Sequence, residues 1–188
     1  MPHIHTGAGE CDATMSAYVV RRVADEWRCL VHMHRKIDRL MQIGGHIELT
    51  QTPWQAVATE LREEAGYELA DLKVLQSIPE PPELDDAVVH PQPFLMNTHD
   101  VGGGHYHNDT CYGFSAELAS GADPDADESQ DLRWLTLDEL QKAAERGEAL
   151  QDTTDIYTFL LSHIELLHAV PASAFSVDKP TKGITYKR

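Results

Sequence analysis

Glu60, Glu63 and Glu64 lie in the stretch "GGHIELTQTPWQAVATELREEAGYEL", residues 44–69, at positions i, i+3 and i+4. On a helix that spacing gathers them on one face, where each like-charge pair costs a few tenths of a kcal/mol. A solvated acidic face tolerates so small a cost, and spacing alone favours that bland explanation. The paired glycines just upstream shift the balance. A backbone carbonyl from a glycine turn plus clustered carboxylates supplies the hard oxygen ligands that Mg²⁺ or Mn²⁺ takes, with water and substrate phosphate completing the shell.

A second constellation is "HYHND". His105, His107 and Asp109 alternate, so a strand presents all three on one side. Neutral imidazoles with a carboxylate can bind a transition metal, donate hydrogen bonds to phosphate, or serve as acid and base. An exposed polar edge explains the same triplet equally well. His3 and His5 repeat the spacing near the start of the chain, where an exposed polar segment is the simpler account. Arg35, Lys36 and Arg39 suit a turn better than a phosphate contact. Tyr106, Tyr112 and Trp134 suit packing within strands better than stacking on a base, and Cys111 suits a small buried thiol.

The elements that must position these groups are legible in part. "MSAYVVRRV" and "RCLVHMH" read as two short strands around the turn-like "ADEW", with Val19, Val20, Leu30 and Val31 as core candidates. Thr52 as N-cap, Pro53 at the first helical position and Gln55 as the capping-box partner start a helix that Gly66 ends. It runs from about Pro53 to Ala65, with Trp54, Val57, Ala58, Leu61 and Ala65 as its apolar stripe. "LKVLQSI" predicts a strand, and the proline-rich stretch 79–93 a long surface loop. "PFLMNTHDV" and "HYHNDTCYGFSAEL" predict two strands, and "LRWLTLDELQKAAERG" a strand leading into a helix. "TDIYTFLLSHIELLHAV" predicts an amphipathic helix with Ile156, Phe159, Leu160, Ile164 and Leu167 on one side.

The box around the three acids resembles the Nudix hydrolase signature, G-x5-E-x7-R-E-U-x-E-E-x-G-U, with U an apolar residue. Aligned from Gly45, the residues Glu60, Leu61, Glu63, Glu64, Gly66 and Tyr67 fall on E, U, E, E, G and U. Two positions depart: Gln51 stands for the first signature Glu, and Thr59 for the Arg. The family's Arg and Glu help orient the metal-binding carboxylates, so their joint loss removes both ends of an ion pair and orphans neither. Strands on both sides, and the acidic, Trp-containing "ESQDLRWLTLDEL", extend the resemblance over roughly residues 15–168.

The resemblance implies an α/β Nudix fold, a mixed β-sheet sandwiched between α-helices. It implies Mg²⁺ or Mn²⁺ held by the Gly45 carbonyl, Glu60, Glu63 and Glu64, and hydrolysis of a diphosphate linkage in a nucleoside diphosphate derivative by activated water. Glu128, in the acidic stretch before the last strand, is the preferred later candidate for the general base. Some Nudix subfamilies carry a similar His-x-His-x-Asp strand, which makes His105, His107 and Asp109 candidates for contacting substrate or a second metal.

Length and composition fit one soluble domain, residues 1–170 with an N-terminal extension over 1–14, followed by a C-terminal tail over 171–188. A net charge of −16 opposes binding to a nucleic acid polymer or an anionic membrane. A small phosphorylated substrate is compatible with that charge only where cations invert the local potential. Three cysteines without CxxC spacing argue against a disulfide framework, and the opening segment lacks the pattern of a secretory signal, so the expected location is the cytoplasm. The family's frequent homodimers make a homodimer an expectation by analogy. Two rival readings stand beside the hydrolase: a noncatalytic Nudix-fold ligand-binding or regulatory module, which Gln51 and Thr59 keep open, and a transition-metal-dependent activity centred on the His-x-His-x-Asp strand.

Overall fold

The computed structural model describes residues 7–181. Strand β1 (Cys11–Val23) turns into β2 (Glu26–His34) through Ala24 and Asp25, both at positive φ. Such a two-residue turn matches the twist of the paired strands. Then follow β3 (Arg39–Met41), β4 (Ile43–His46), helix α1 (Pro53–Ala65), β5 (Leu72–Gln76), β6 (Leu95–Gly102), β7 (His105–Ala116), β8 (Leu132–Thr136), α2 (Leu137–Glu145), α3 (Gln151–His163) and β9 (His168–Pro171).

The strands join in one mixed sheet of order β3-β2-β1-β7-β5-β9, with β4 also on β1, β6 on β7 and β8 on β2. The β1–β7 pairing is parallel and runs from Cys11↔Tyr106 to Arg21↔Ala116. It starts β1 at Cys11, inside the expected N-terminal extension, because β7 offers a ladder that the local sequence of β1 does not announce. Alternation along β1 divides the core. Met15, Ala17 and Val19 face α1 and pack with Trp54 and Leu61, whereas Tyr18 and Val20 face α3 and pack with Tyr157 and Leu160. Helices therefore cover both faces of the sheet, as expected.

α1 has the predicted bounds. Thr52 accepts from the Gln55 N–H, the Gln55 side chain accepts from the Thr52 N–H, and Gly66 adopts the left-handed conformation at φ 67°. In the stripe, Ala58 is only half-buried and Ala56 is buried instead.

The last predicted helix is shorter than its apolar periodicity suggests. It ends at His163, and His168–Pro171 pairs with β5 through Val74↔Val170, because that edge of the sheet needs a partner. Phe159, expected on the apolar side, is 43% exposed, while Tyr157 is fully buried and its hydroxyl donates to the Leu30 carbonyl at 2.5 Å. The expected tail past Pro171 is docked at its start: Phe175 is buried against Trp54, whose Nε1 donates to the Phe175 carbonyl at 3.2 Å. Residues 77–94 form the expected irregular loop.

Candidate active site

The β1–β4 register sets the site. Gly45 lies opposite Met15 and Gly44 opposite Ser16, so Gly45 turns toward α1. A Cβ on Gly45 would collide with the Glu60 carboxylate, and one on Gly44 with the Met15 carbonyl. The glycine pair thus lets the α1 carboxylates approach the backbone of β4. The Gly44 N–H donates to Glu64 Oε2 at 3.0 Å.

Glu60 and Glu64 are buried, and among the described residues neither forms an ion pair with a Lys or Arg. Burial, then the charges of Glu63 and Glu128, push the Glu60 carboxyl up to about 7. Burial, then Glu60, push Glu64 up to about 9, against the opposing pull of the Gly44 N–H. Glu63 is more open, with a third of its side chain exposed, and pairs with Arg62 at 2.7 Å. The three acids of the helix are thus unequal: two stand in the protein and one at its rim.

Glu128 reaches the same place from the far side of the chain. The Asp125 N–H donates to the Glu63 carbonyl at 2.8 Å, Ser120 Oγ donates to the Gly66 carbonyl at 2.6 Å, and Arg35 donates to the Asp127 carbonyl. These bonds lay the acidic loop along the end of α1, where burial, Asp127 and Glu63 raise the Glu128 carboxyl. Arg35 therefore serves the loop, as its turn-like setting suggests.

The two departures from the signature meet each other. Gln51 Nε2 donates to Thr59 Oγ1 at 3.4 Å, and Gln51 Oε1 accepts from the Glu48 N–H at 3.3 Å. A neutral pair stands where the family signature has Glu and Arg.

His105, His107 and Asp109 do share one side of β7, but the three do not form one cluster. Asp109 accepts from Thr14 Oγ1 at 2.9 Å and from Cys111 Sγ at 3.2 Å. Asp12 of β1 takes its place beside the histidines, 3.2 Å from His105 Nε2 and 3.5 Å from His46 Nε2. His46 lies opposite Thr14 on β4, so it faces away from α1, one residue from Gly45. His3 and His5 lie outside the described residues.

Sequence reasoning missed Asp12 and His46, whose proximity to β7 depends on pairings that no local pattern announces. It also missed His32, although the alternating "HMH" repeats the spacing of "HYH". His32 is buried, its Nε2 stands 4.0 Å from Glu64 Oε2, and burial followed by the charge of His34 lowers it to about 4. Its imidazole is therefore neutral at physiological pH and offers an extra nitrogen at the carboxylate site. The aromatic candidates pack as expected: Tyr112 against Trp54, and Trp134 beneath the Arg21 guanidinium. All three cysteines are free thiols.

No curated protein matches the chain. Among solved structures it is similar to a NUDIX-family hydrolase from Clostridium perfringens, at 23% identity and TM-score 0.63 over 80% of this chain and 96% of that one. It is similar to an Ap4A hydrolase from C. elegans in a binary complex, at 16% identity and TM-score 0.57 over 80% and 98%. It is also similar to the NUDIX domain of Shewanella oneidensis NrtR complexed with ADP ribose, at 13% identity and TM-score 0.50 over 76% and 89%. At these identities the likeness is one of fold. The model of the NUDIX domain matches residues 13–153, well over half of the chain and all of the box from Gly45 to Tyr67, and the chain therefore belongs to the NUDIX family.

Proposed function

We propose that the chain is a divalent-metal-dependent hydrolase that cleaves a diphosphate linkage in a nucleoside diphosphate derivative. The carrying observation is that Glu60 and Glu64, gathered against Gly44 and Gly45 with Glu63 and Glu128 alongside, have no Lys or Arg ion-pair partner among the described residues. Buried carboxylates of raised proton affinity that pair with no Lys or Arg among the described residues fit a site that a cation completes. The donor set, three carboxylates and the Gly45 carbonyl, is all oxygen, as Mg²⁺ or Mn²⁺ requires. When bound, the metal neutralises the pyrophosphate and polarises its phosphorus.

The protein residues divide the remaining work. The Gly44 N–H fixes one oxygen of Glu64, and the missing side chain of Gly45 admits Glu60 to the backbone of β4. Without metal, burial and then the charges of Glu63 and Glu128 push Glu60 up to about 7, so loading the site with a cation would release a proton near neutral pH. Glu128, whose charge raises the proton affinities of Glu60 and Glu64, is our candidate to take a proton from the attacking water. Neighbours that share the fold include an Ap4A hydrolase and an ADP-ribose complex, which supports a small nucleotide-derived substrate. The same reading gives a single domain working in the cytoplasm on a small phosphorylated molecule, as a monomer or homodimer.

The test is release of phosphate-containing products from nucleoside triphosphates, nucleotide sugars, dinucleotides and dinucleoside polyphosphates, with Mg²⁺, Mn²⁺ or chelator. Turnover that needs metal and disappears in Glu63→Gln is expected. A second reading, a noncatalytic ligand-binding module, is favoured by the neutral Gln51–Thr59 pair. Folded protein that binds metal yet turns over nothing in the panel would establish it instead.

A further inference from the structure

On the face of the sheet turned away from α1, one carboxylate and three imidazoles converge from three strands that are neighbours in the sheet. Asp12 comes from β1, His46 from β4, and His105 and His107 from β7. We propose that Asp12, His46, His105 and His107 form a second metal site, specific for a divalent transition cation of the Zn²⁺ class and separate from the α1 carboxylates.

Both His46 and His105 aim Nε2 at the same oxygen, Asp12 Oδ2, at 3.5 and 3.2 Å. The 3.2 Å contact of His105 is a hydrogen bond at the long end of the usual range, and that of His46 lies beyond it. Ligands about 2.0–2.2 Å from a shared tetrahedral ion stand about 3.3–3.6 Å from one another, and the two contacts to Asp12 have about that spacing. Donor atoms of Asp12, His105 and His107 all lie within 4.8 Å of one another, and the His107 ring is 4.9 Å from that of His46. A modest turn of the half-buried His107 brings its nitrogen to the others.

Burial and chemistry agree with this assignment. The Asp12 side chain is fully buried, and those of His46 and His105 are 9% and 8% exposed. One oxygen and three imidazole nitrogens suit Zn²⁺ or Co²⁺ rather than Mg²⁺, which takes oxygen. Asp109, bonded to Thr14 and Cys111, locks the middle of β7 beside the ligands instead of joining them. Strand positions fix the ligands more firmly than loops would. The two sites are back to back: Gly45 faces α1 and His46, the next residue, faces the opposite side.

The proposal does not rest on hydrolysis, and its readout is binding. Untagged full-length protein, stripped with chelator, is titrated with Zn²⁺ by calorimetry and with Co²⁺ by visible absorption. One equivalent is expected in the wild type and in the Glu60→Gln/Glu64→Gln double variant. Asp12→Asn and His105→Gln are expected to weaken that equivalent about 100-fold or more, with an unchanged circular dichroism spectrum. Should either fail to fold, His107→Ala at its half-buried position reads the same loss. Retention is expected in His3→Ala/His5→Ala. Affinity no better than about 1 mM would overturn the proposal. So would wild-type binding in Asp12→Asn and His107→Ala, or loss of the equivalent in the Glu60/Glu64 or His3/His5 variants alone.

Discussion

Replacing Glu64 by Gln is expected to make the metal-free protein less sensitive to alkaline pH while removing its response to metal. Glu64 titrates at about 9 in the fold, because burial and then the neighbouring Glu60 charge penalise its ionised form. An unfolded Glu titrates near 4.3. A carboxyl whose folded value is raised contributes stability that is fully present below the unfolded value and is lost as pH rises through the folded one. From pH 5 to pH 8, Glu64 lies inside that window. Over those three units the loss accrues at about 1.4 kcal/mol each, or about 4 kcal/mol as an upper bound. Gln is close in shape to the protonated acid, keeps an acceptor for the Gly44 N–H and does not titrate. At about 2–4 °C per kcal/mol for a chain of this size, the wild-type Tm should fall about 10 °C further than that of Glu64→Gln across the window. Thermal unfolding followed by circular dichroism at unit pH steps, in chelator, measures the difference. Adding Mg²⁺ at pH 8 should raise the wild-type Tm and leave the variant unmoved. Parallel Tm curves for the two proteins in chelator would refute the claim that Glu64 is held protonated by its surroundings.

Three further outcomes follow from single contacts. Gly44→Ala drives a Cβ into the Met15 carbonyl, which the β1–β4 pairing holds in place; a loss of about 1–3 kcal/mol is expected in urea unfolding, with hydrolysis impaired as the N–H to Glu64 shifts. Thr59→Arg alone puts a charge beside half-buried Gln51, whereas Gln51→Glu/Thr59→Arg restores a charged pair; a double-mutant cycle should show favourable coupling of about 1 kcal/mol. Phe175→Ala empties the space beside Trp54, and its urea midpoint should report a loss of about 3–5 kcal/mol.

Helix α1 was legible to the residue because its start and stop are local. Thr52, Pro53 and Gln55 act within one turn, and Gly66 closes the helix by its own backbone conformation. Strands β1, β2, β5, β6, β7 and β8 were legible from alternation for the same reason, whereas β3 and β4 around the glycine pair were not announced. What the local pattern could not carry was pairing. The run "HIELLHAV" keeps an apolar periodicity that a helix would use, yet its last residues become β9 because β5 presents an open edge. Asp12 reads as an ordinary acid of the opening segment, and only the parallel register with β7, some ninety residues later, puts it opposite His107. Spacing placed Asp109 with the histidines correctly by face, but the Thr14 hydroxyl and the Cys111 thiol claim it. The burial of Glu60 and Glu64 was equally hidden, since it arises from the glycine turn and from a loop that returns at Glu128.

The crowding of carboxylates on α1 becomes intelligible once their unequal settings are compared. Glu63 lies at the rim and pairs with Arg62, so its charge is cheap to maintain. Glu60 and Glu64 are held against β4 with no Lys or Arg partner among the described residues, and their raised proton affinities record how strongly that place disfavours bare negative charge. Their position is secured by a capped helix whose apolar side is locked to the sheet through Trp54 and Leu61. A signature Arg at position 59 would stand next to Glu60 in sequence and a Glu at 51 would answer it; here Gln51 and Thr59 hydrogen-bond to each other and leave the net charge of that pair at zero. Without the signature Arg beside Glu60, a bound cation would be the compensating charge under the proposed function. In a chain of net charge −16, the same bound cations that relieve Glu60 and Glu64 would also let an anionic substrate approach. Under the proposed function, metal loading, proton release and access for phosphate would be three consequences of one arrangement of carboxylates.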